Sequence, residues 1–90
     1  MEMFEQAIHV SVERHVVSFV LSVRGRVLDC AIDVDALEQY FWLQQGANEA
    51  RILKAFLDGS KRILAVAERK WLAHPNDKVS LTSRDFSMRR

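Results

Sequence analysis

The chain has 90 residues, 49% of them hydrophobic and 28% charged, with only three glycines and one proline. That composition excludes a disordered tail, a collagen-like repeat and a low-complexity linker, and it fits one small folded domain over residues 1–90. Thirteen basic against twelve acidic residues give a net charge of +1, which argues against a strongly polyanion-binding protein, and the single cysteine rules out an internal disulfide and a cysteine-rich zinc site.

Residues 1–6 carry two acids and no base, so no secretory signal is expected. The nearly uncharged stretch from His15 to Val23 is too short to span a bilayer. A cytoplasmic protein with no membrane partner is the expectation, and one free cysteine fits a reducing compartment. The charge is unevenly spread: residues 1–45 sum to −4 and residues 46–90 to +5.

The first third has the pattern of strands. Ile8, Val10 and Val12 alternate with His9, Ser11 and Glu13, the period of a half-buried strand. Val17, Phe19, Leu21 and Val23 share one face of a second strand, and Leu28, Cys30 and Ile32 share one face of a third. A two-residue turn at Arg24-Gly25 sets Val23 opposite Arg26, Leu21 opposite Leu28, Phe19 opposite Cys30 and Val17 opposite Ile32. A one-residue slip would put apolar against polar along both strands. For the first turn, centred on Arg14-His15, the expected pairs are Val12 with Val17, Val10 with Phe19 and Ile8 with Leu21.

Two helices follow. Asp33 or Asp35 is placed to cap the first, with capping-box spacing from Asp35 to Glu38, an apolar stripe of Leu37, Tyr40 and Phe41, and a stop at Gly46. Asn48 is placed to cap the second, which runs to about Ala73 before His74-Pro75. Its predicted stripe is Leu53, Phe56, Leu57, Ser60, Ile63, Leu64, Ala67 and Trp71. Gly59 in its middle costs about 1 kcal/mol relative to alanine and suggests a close backbone approach. A turn at Asn76-Asp77, a short strand with Val79 and Leu81, and a final helical turn capped by Ser83 and holding Phe86 complete the chain, with residues 87–90 expected to fray. The predicted fold is α+β in two layers: a four-stranded antiparallel sheet in the order β-β-β-α-α-β, covered on one face by two helices.

Several stretches together resemble a family of small bacterial proteins known as domain of unknown function number fourteen eighty-eight. They are Gly25 with Leu28-Asp29-Cys30-Ala31-Ile32, Ala36-Leu37-Glu38 with Phe41, Arg62-Ile63, Ala67-Glu68-Arg69-Lys70-Trp71, and Val79 through Phe86. The resemblance implies a compact α+β fold in a bacterium. It implies no activity and therefore lends no catalytic residue. Many relatives carry tyrosine where this chain has Trp71.

No catalytic, cofactor-binding or metal constellation emerges from spacing. His9, His15 and His74 share no helical i, i+4 relation. Cys30 falls on the apolar face, where a thiol keeps a high pKa. Three features remain as candidates. Arg51, Lys54, Lys61, Arg62 and Arg69 make a basic face on the second helix, to which Arg84, Arg89 and Arg90 can add, interrupted by Asp58 and with no aromatic for base stacking. Trp42 and Leu43 point off the stripe of the first helix and are candidates for a homodimer contact or for docking another protein. Ser83, Asp85 and Phe86 carry the most specific part of the resemblance, with a structural role for Ser83 and Asp85 favoured over a ligand site. The expected function is a small non-catalytic interaction protein that self-associates; the alternative is weak, nonspecific nucleic-acid binding through the basic helix face.

Overall fold

A computed structural model describes residues 2–3, 7–75 and 78–86. The strands are β1 (Glu2–Met3), β2 (His9–Ser11), β3 (Val16–Val23), β4 (Arg26–Asp33) and β5 (Lys78–Leu81). The helices are α1 (Val34–Tyr40), α2 (Glu49–Asp58) and α3 (Ser60–Ala73), and a 3-10 turn spans Ser83–Phe86. The sheet is four strands wide, because β1 and β2 pair with opposite ends of β3 along the same edge, and β4 and β5 follow on the other side. The α+β class stands, as a mostly antiparallel sheet layered with helices.

The Arg24-Gly25 turn forms with both residues at positive φ (53° and 81°), the signature of a type I′ hairpin. The β3–β4 register follows as expected, Val23 with Arg26, Leu21 with Leu28, Phe19 with Cys30 and Val17 with Ile32. Those residues are all buried except Arg26, and the helices cover this face.

Four expectations are corrected. The β2–β3 register lies two residues away from the predicted one: Val10 faces Val17 and Ser11 faces Val16. A shift of two preserves which face each side chain takes, so apolar alternation cannot tell the two registers apart. The turn decides, through the Ser11 hydroxyl, which accepts from the Arg14 N–H (3.2 Å), and His15, which takes a left-handed φ of 59°. Second, β5 runs parallel to β4, with Cys30 beside Val79 and Ile32 beside Leu81. The three intervening helices form a crossover that returns the chain to the starting end of β4, and alternation carries no information on direction.

Third, the long helix is two helices. A straight helix from Glu49 to Ala73 would be about 38 Å long, more than the longest extent of the molecule, 35 Å. The interruption at Gly59 lets both halves cover the sheet. It also turns Ile52 into the core and leaves Leu57 exposed, unlike the predicted stripe. Finally, α1 ends at Tyr40 rather than near Gly46, and neither aspartate caps it by its side chain. The Val34 N–H instead donates to the His15 carbonyl (2.9 Å), which satisfies the start of the helix from the β2–β3 turn. Asn48 caps α2 as expected, accepting from the Arg51 N–H at 2.9 Å. The predicted Asn76-Asp77 turn and residues 87–90 lie outside the described residues.

Gly59 is a close approach within the helical layer, between the end of α1 and the α2–α3 junction. A Cβ built there would overlap the ring of Phe41, which lies against the helix junction. Gly59→Ala should therefore destabilise the protein by about 1–3 kcal/mol through overpacking, despite the gain in helix propensity. Urea denaturation checks this, and Gly59→Ala combined with Phe41→Leu should recover most of the loss.

Candidate functional site

The end of α1 builds the most unusual feature of the surface. The Leu37 carbonyl accepts from the Phe41 N–H (2.9 Å) and also from the Leu43 N–H (3.3 Å). Closing that loop forces Trp42 between them into the left-handed region, φ 65°. Such a conformation costs a residue with a Cβ about 1–2 kcal/mol, and glycine or asparagine is its usual occupant. Trp42 is also 95% exposed. Its neighbour turns the other way: Leu43 is 9% exposed and belongs to the core. Trp42 thus supplies almost all of the exposed apolar area of the pair, although both border one groove.

The expected basic face and the expected apolar contact meet at one place. Trp42 and Phe41 divide two open grooves of about 650 and 410 Å³. Lys61 and Arg62 line one, Arg51 and Lys54 line the other, and Asp58 borders both. Leu57 and Ala55 add apolar wall. Arg69, on α3, lines neither groove, and Arg89 and Arg90 lie outside the described residues. The expectation that no aromatic accompanies the basic residues is corrected, because α1 supplies Trp42 from a different element.

The cations are not equivalent. Lys54 Nζ pairs with Asp58 Oδ2 at 2.9 Å, the predicted i, i+4 pair. Arg62 turns away from Asp58 and stands over three rings, with its guanidinium carbon 5.9 Å from the Tyr40 centroid, 5.4 Å from Phe41 and 5.8 Å from Phe86. It also donates to the Phe86 carbonyl (3.3 Å). Arg62 therefore stays exposed on the groove while its guanidinium lies over an aromatic cluster, at a distance where exposed cation–π pairs contribute about 0.5–1 kcal/mol. Among the described residues, Arg51, Lys61 and Arg62 have no acidic partner, so all three carry unneutralised positive charge at the site.

The Ser83–Phe86 stretch is structural in its contacts. Asp85 Oδ2 accepts from the Thr82 N–H (2.8 Å) and from Lys70 Nζ (3.1 Å), and the Asp85 N–H donates to the Thr82 carbonyl (3.0 Å). Thr82, rather than Ser83, occupies the capping position. Lys70 also donates to the Ser80 carbonyl on β5. Phe86 is buried and packs edge-on to Phe41 at 5.3 Å. Cys30 is buried opposite Phe19, and burial, with a smaller contribution from Asp29, pushes its thiol up to about 11. His9 is exposed, and His74 caps the C-terminus of α3.

A third cluster lies at the other end of α1 and was not foreseen. His15, Asp35 and Glu38 bring one donor atom each within 4.8 Å of one another. Sequence spacing hides it, because His15 is twenty residues from Asp35 and arrives by the hairpin.

Asp85→Ala should lower stability by about 1–2 kcal/mol through loss of the cap and should free Lys70, measurable by thermal denaturation. The folded Cys30 thiol should react with a bulky disulfide reagent far more slowly than free cysteine, since roughly a thousandth of it is thiolate at pH 8. Because its folded pKa is raised, Cys30 favours the native state below about pH 9, and that contribution fades as pH rises toward 11. Denaturation across that window should show a pH-dependent loss that Cys30→Ala removes.

Among the described residues no helix is long and apolar enough to cross a membrane. Neither the curated proteins nor the solved structures provide a match. The family model described as a protein of unknown function (DUF1488) matches residues 3–81. That span covers the sheet apart from Glu2, all three helices and the Trp42 loop, and it stops before Ser83–Phe86, where the sequence resemblance was most specific. The chain belongs to the DUF1488 family.

Proposed function

We propose that this protein is a non-catalytic interaction module of the bacterial cytoplasm that docks an acidic partner segment against Trp42. One observation carries the proposal: a tryptophan, the residue least suited to water, stands fully exposed on a strained left-handed backbone where glycine would be more stable. Strain kept at an exposed residue points to a use outside the fold. Tryptophan is also the residue most often found at the energetic centre of protein interfaces.

The surroundings support the class of partner. Leu57 and Ala55 provide apolar wall, while Arg51 and Lys61 provide unpaired positive charge. An apolar anchor flanked by Asp or Glu satisfies both. Self-association through Trp42 is less favoured, because a two-fold axis there would set one basic rim against another. The buried, protonated Cys30 thiol is unsuited to nucleophilic catalysis, in keeping with a non-catalytic role.

Nucleic-acid binding is the second reading, favoured by the position of Trp42 beside Arg51, Lys54 and Lys61, an aromatic platform with cations around it. Only two of those cations lack internal partners, so the affinity should be weak and steeply reduced by salt.

Trp42→Gly separates fold from function. It should raise stability by up to about 1 kcal/mol by relieving the left-handed strain, yet abolish docking. Tryptophan fluorescence titrated with an Asp/Glu-rich peptide bearing a central leucine should shift for the wild type and not for Trp42→Gly. A lysine-rich counterpart and a single-stranded oligonucleotide serve as comparisons. Equal binding by Trp42→Gly overturns the docking site, tighter oligonucleotide binding favours nucleic acid, and a dimer in sedimentation that Trp42→Glu makes monomeric favours self-association.

A further inference from the structure

We propose that His15, Asp35 and Glu38 form a binding site for a divalent transition cation of the Zn2+ class. The site is separate from the Trp42 face, whose grooves are lined by none of these three residues. His15 Nε2 is 2.9 Å from Asp35 Oδ1 and 3.7 Å from Glu38 Oε2. Donors 2.0–2.2 Å from a tetrahedral ion stand about 3.3 Å from one another. Those two separations bracket that value and all three donor atoms lie within 4.8 Å of one another, so seating an ion requires the His15–Asp35 hydrogen bond to open by a few tenths of an ångström and the carboxylates to turn toward it.

The donors are held by the backbone as well as by one another. His15 occupies a left-handed position, and its carbonyl receives the first N–H of α1. The hairpin turn and the helix carrying both carboxylates are thereby joined. Asp35 and Glu38 stand three residues apart on α1, where like charges repel unless a cation lies between them.

Glu38 is the least exposed of the three, its side chain 13% exposed, and its carboxylate oxygens keep access to water. The imidazole at 3.7 Å is beyond hydrogen-bond reach. A metal ion among the three atoms would take the place of that water and join both carboxylates to the imidazole. Asp35, 63% exposed, leaves the outer side open to solvent, so water can complete the coordination shell.

The donor set selects the ion. One imidazole nitrogen with two carboxylate oxygens suits Zn2+, Co2+ or Mn2+ better than Mg2+ or Ca2+, which favour all-oxygen shells.

The test uses the full chain and the metal alone. Calorimetric titration with Zn2+ should show one saturable site, with Mg2+ at least tenfold weaker. His15→Asn keeps a residue that tolerates the left-handed backbone, and Glu38→Gln keeps the volume of the shielded carboxylate; each should weaken Zn2+ at least tenfold. Co2+ should shift and broaden the His15 ring signals in NMR while sparing those of His9 and His74. Three results would each overturn the site: no saturation by Zn2+ at millimolar concentration, unchanged affinity in Glu38→Gln, or paramagnetic effects centred on His9 or His74. Any of them would reduce the cluster to a His15–Asp35 ion pair.

Discussion

The ring of Phe41 lying on the bare backbone of Gly59 is the constraint around which the helical layer is arranged. Because no side chain intervenes, the end of α1 reaches the junction of α2 and α3 directly. Phe41 then meets Phe86 edge-on, and the 3-10 turn after β5 is drawn over the same junction. Arg62 fills the space among Tyr40, Phe41 and Phe86 and ties that turn back to α3 through the Phe86 carbonyl. In a domain this small, which buries only about 60–65% of its unfolded surface, such a junction holds a large part of the available packing.

That arrangement has a consequence for the surface. With Phe41 anchored inward and Leu43 drawn into the core, the residue between them has nowhere to go but outward, on a backbone that a side chain disfavours. A glycine there would satisfy the fold better. The placement of tryptophan, between grooves whose rims carry Arg51 and Lys61, opposes stability and favours contact with something else. The same junction fixes the Arg62 guanidinium over the rings, so its charge is held in one place on the groove wall.

The far side of the helical layer is held by charge. Lys70 reaches from α3 to the Ser80 carbonyl on β5 and to Asp85, which also caps the turn beyond. β5 is an outer strand of the sheet, and an ammonium group on its backbone also blunts an edge otherwise open to pairing. At the opposite end of α1, the His15 carbonyl replaces a capping side chain, and this frees Asp35 to face the imidazole. Both ends of the short helix are thus closed by distant segments, and both carry unusual surface chemistry.

The sequence by itself determined the faces, the β3–β4 hairpin and the α+β class. Alternation from Val17 to Val23 and from Leu28 to Ile32 excludes one-residue slips, and the two-residue turn at Arg24-Gly25 excludes the two-residue shift that alternation alone allows. Asn48 as a cap and Cys30 as a core residue were legible for the same reason: each depends on neighbours a few residues away or on one face. The two-residue shift of β2, the parallel direction of β5 and the break at Gly59 were decided only by tertiary structure. The first two leave the apolar faces unchanged, the break at Gly59 turns Ile52 inward and Leu57 outward, and each depends on where a distant element closes the layer. The surface clusters followed that rule too. Trp42 was visible as an anomaly, but its union with Arg51 and Lys61 required α1 to end early, and His15 met Asp35 and Glu38 only because a hairpin and a helix start share one hydrogen bond. Local patterns set which side chains leave water; the packing of elements far apart in the chain sets which ones meet.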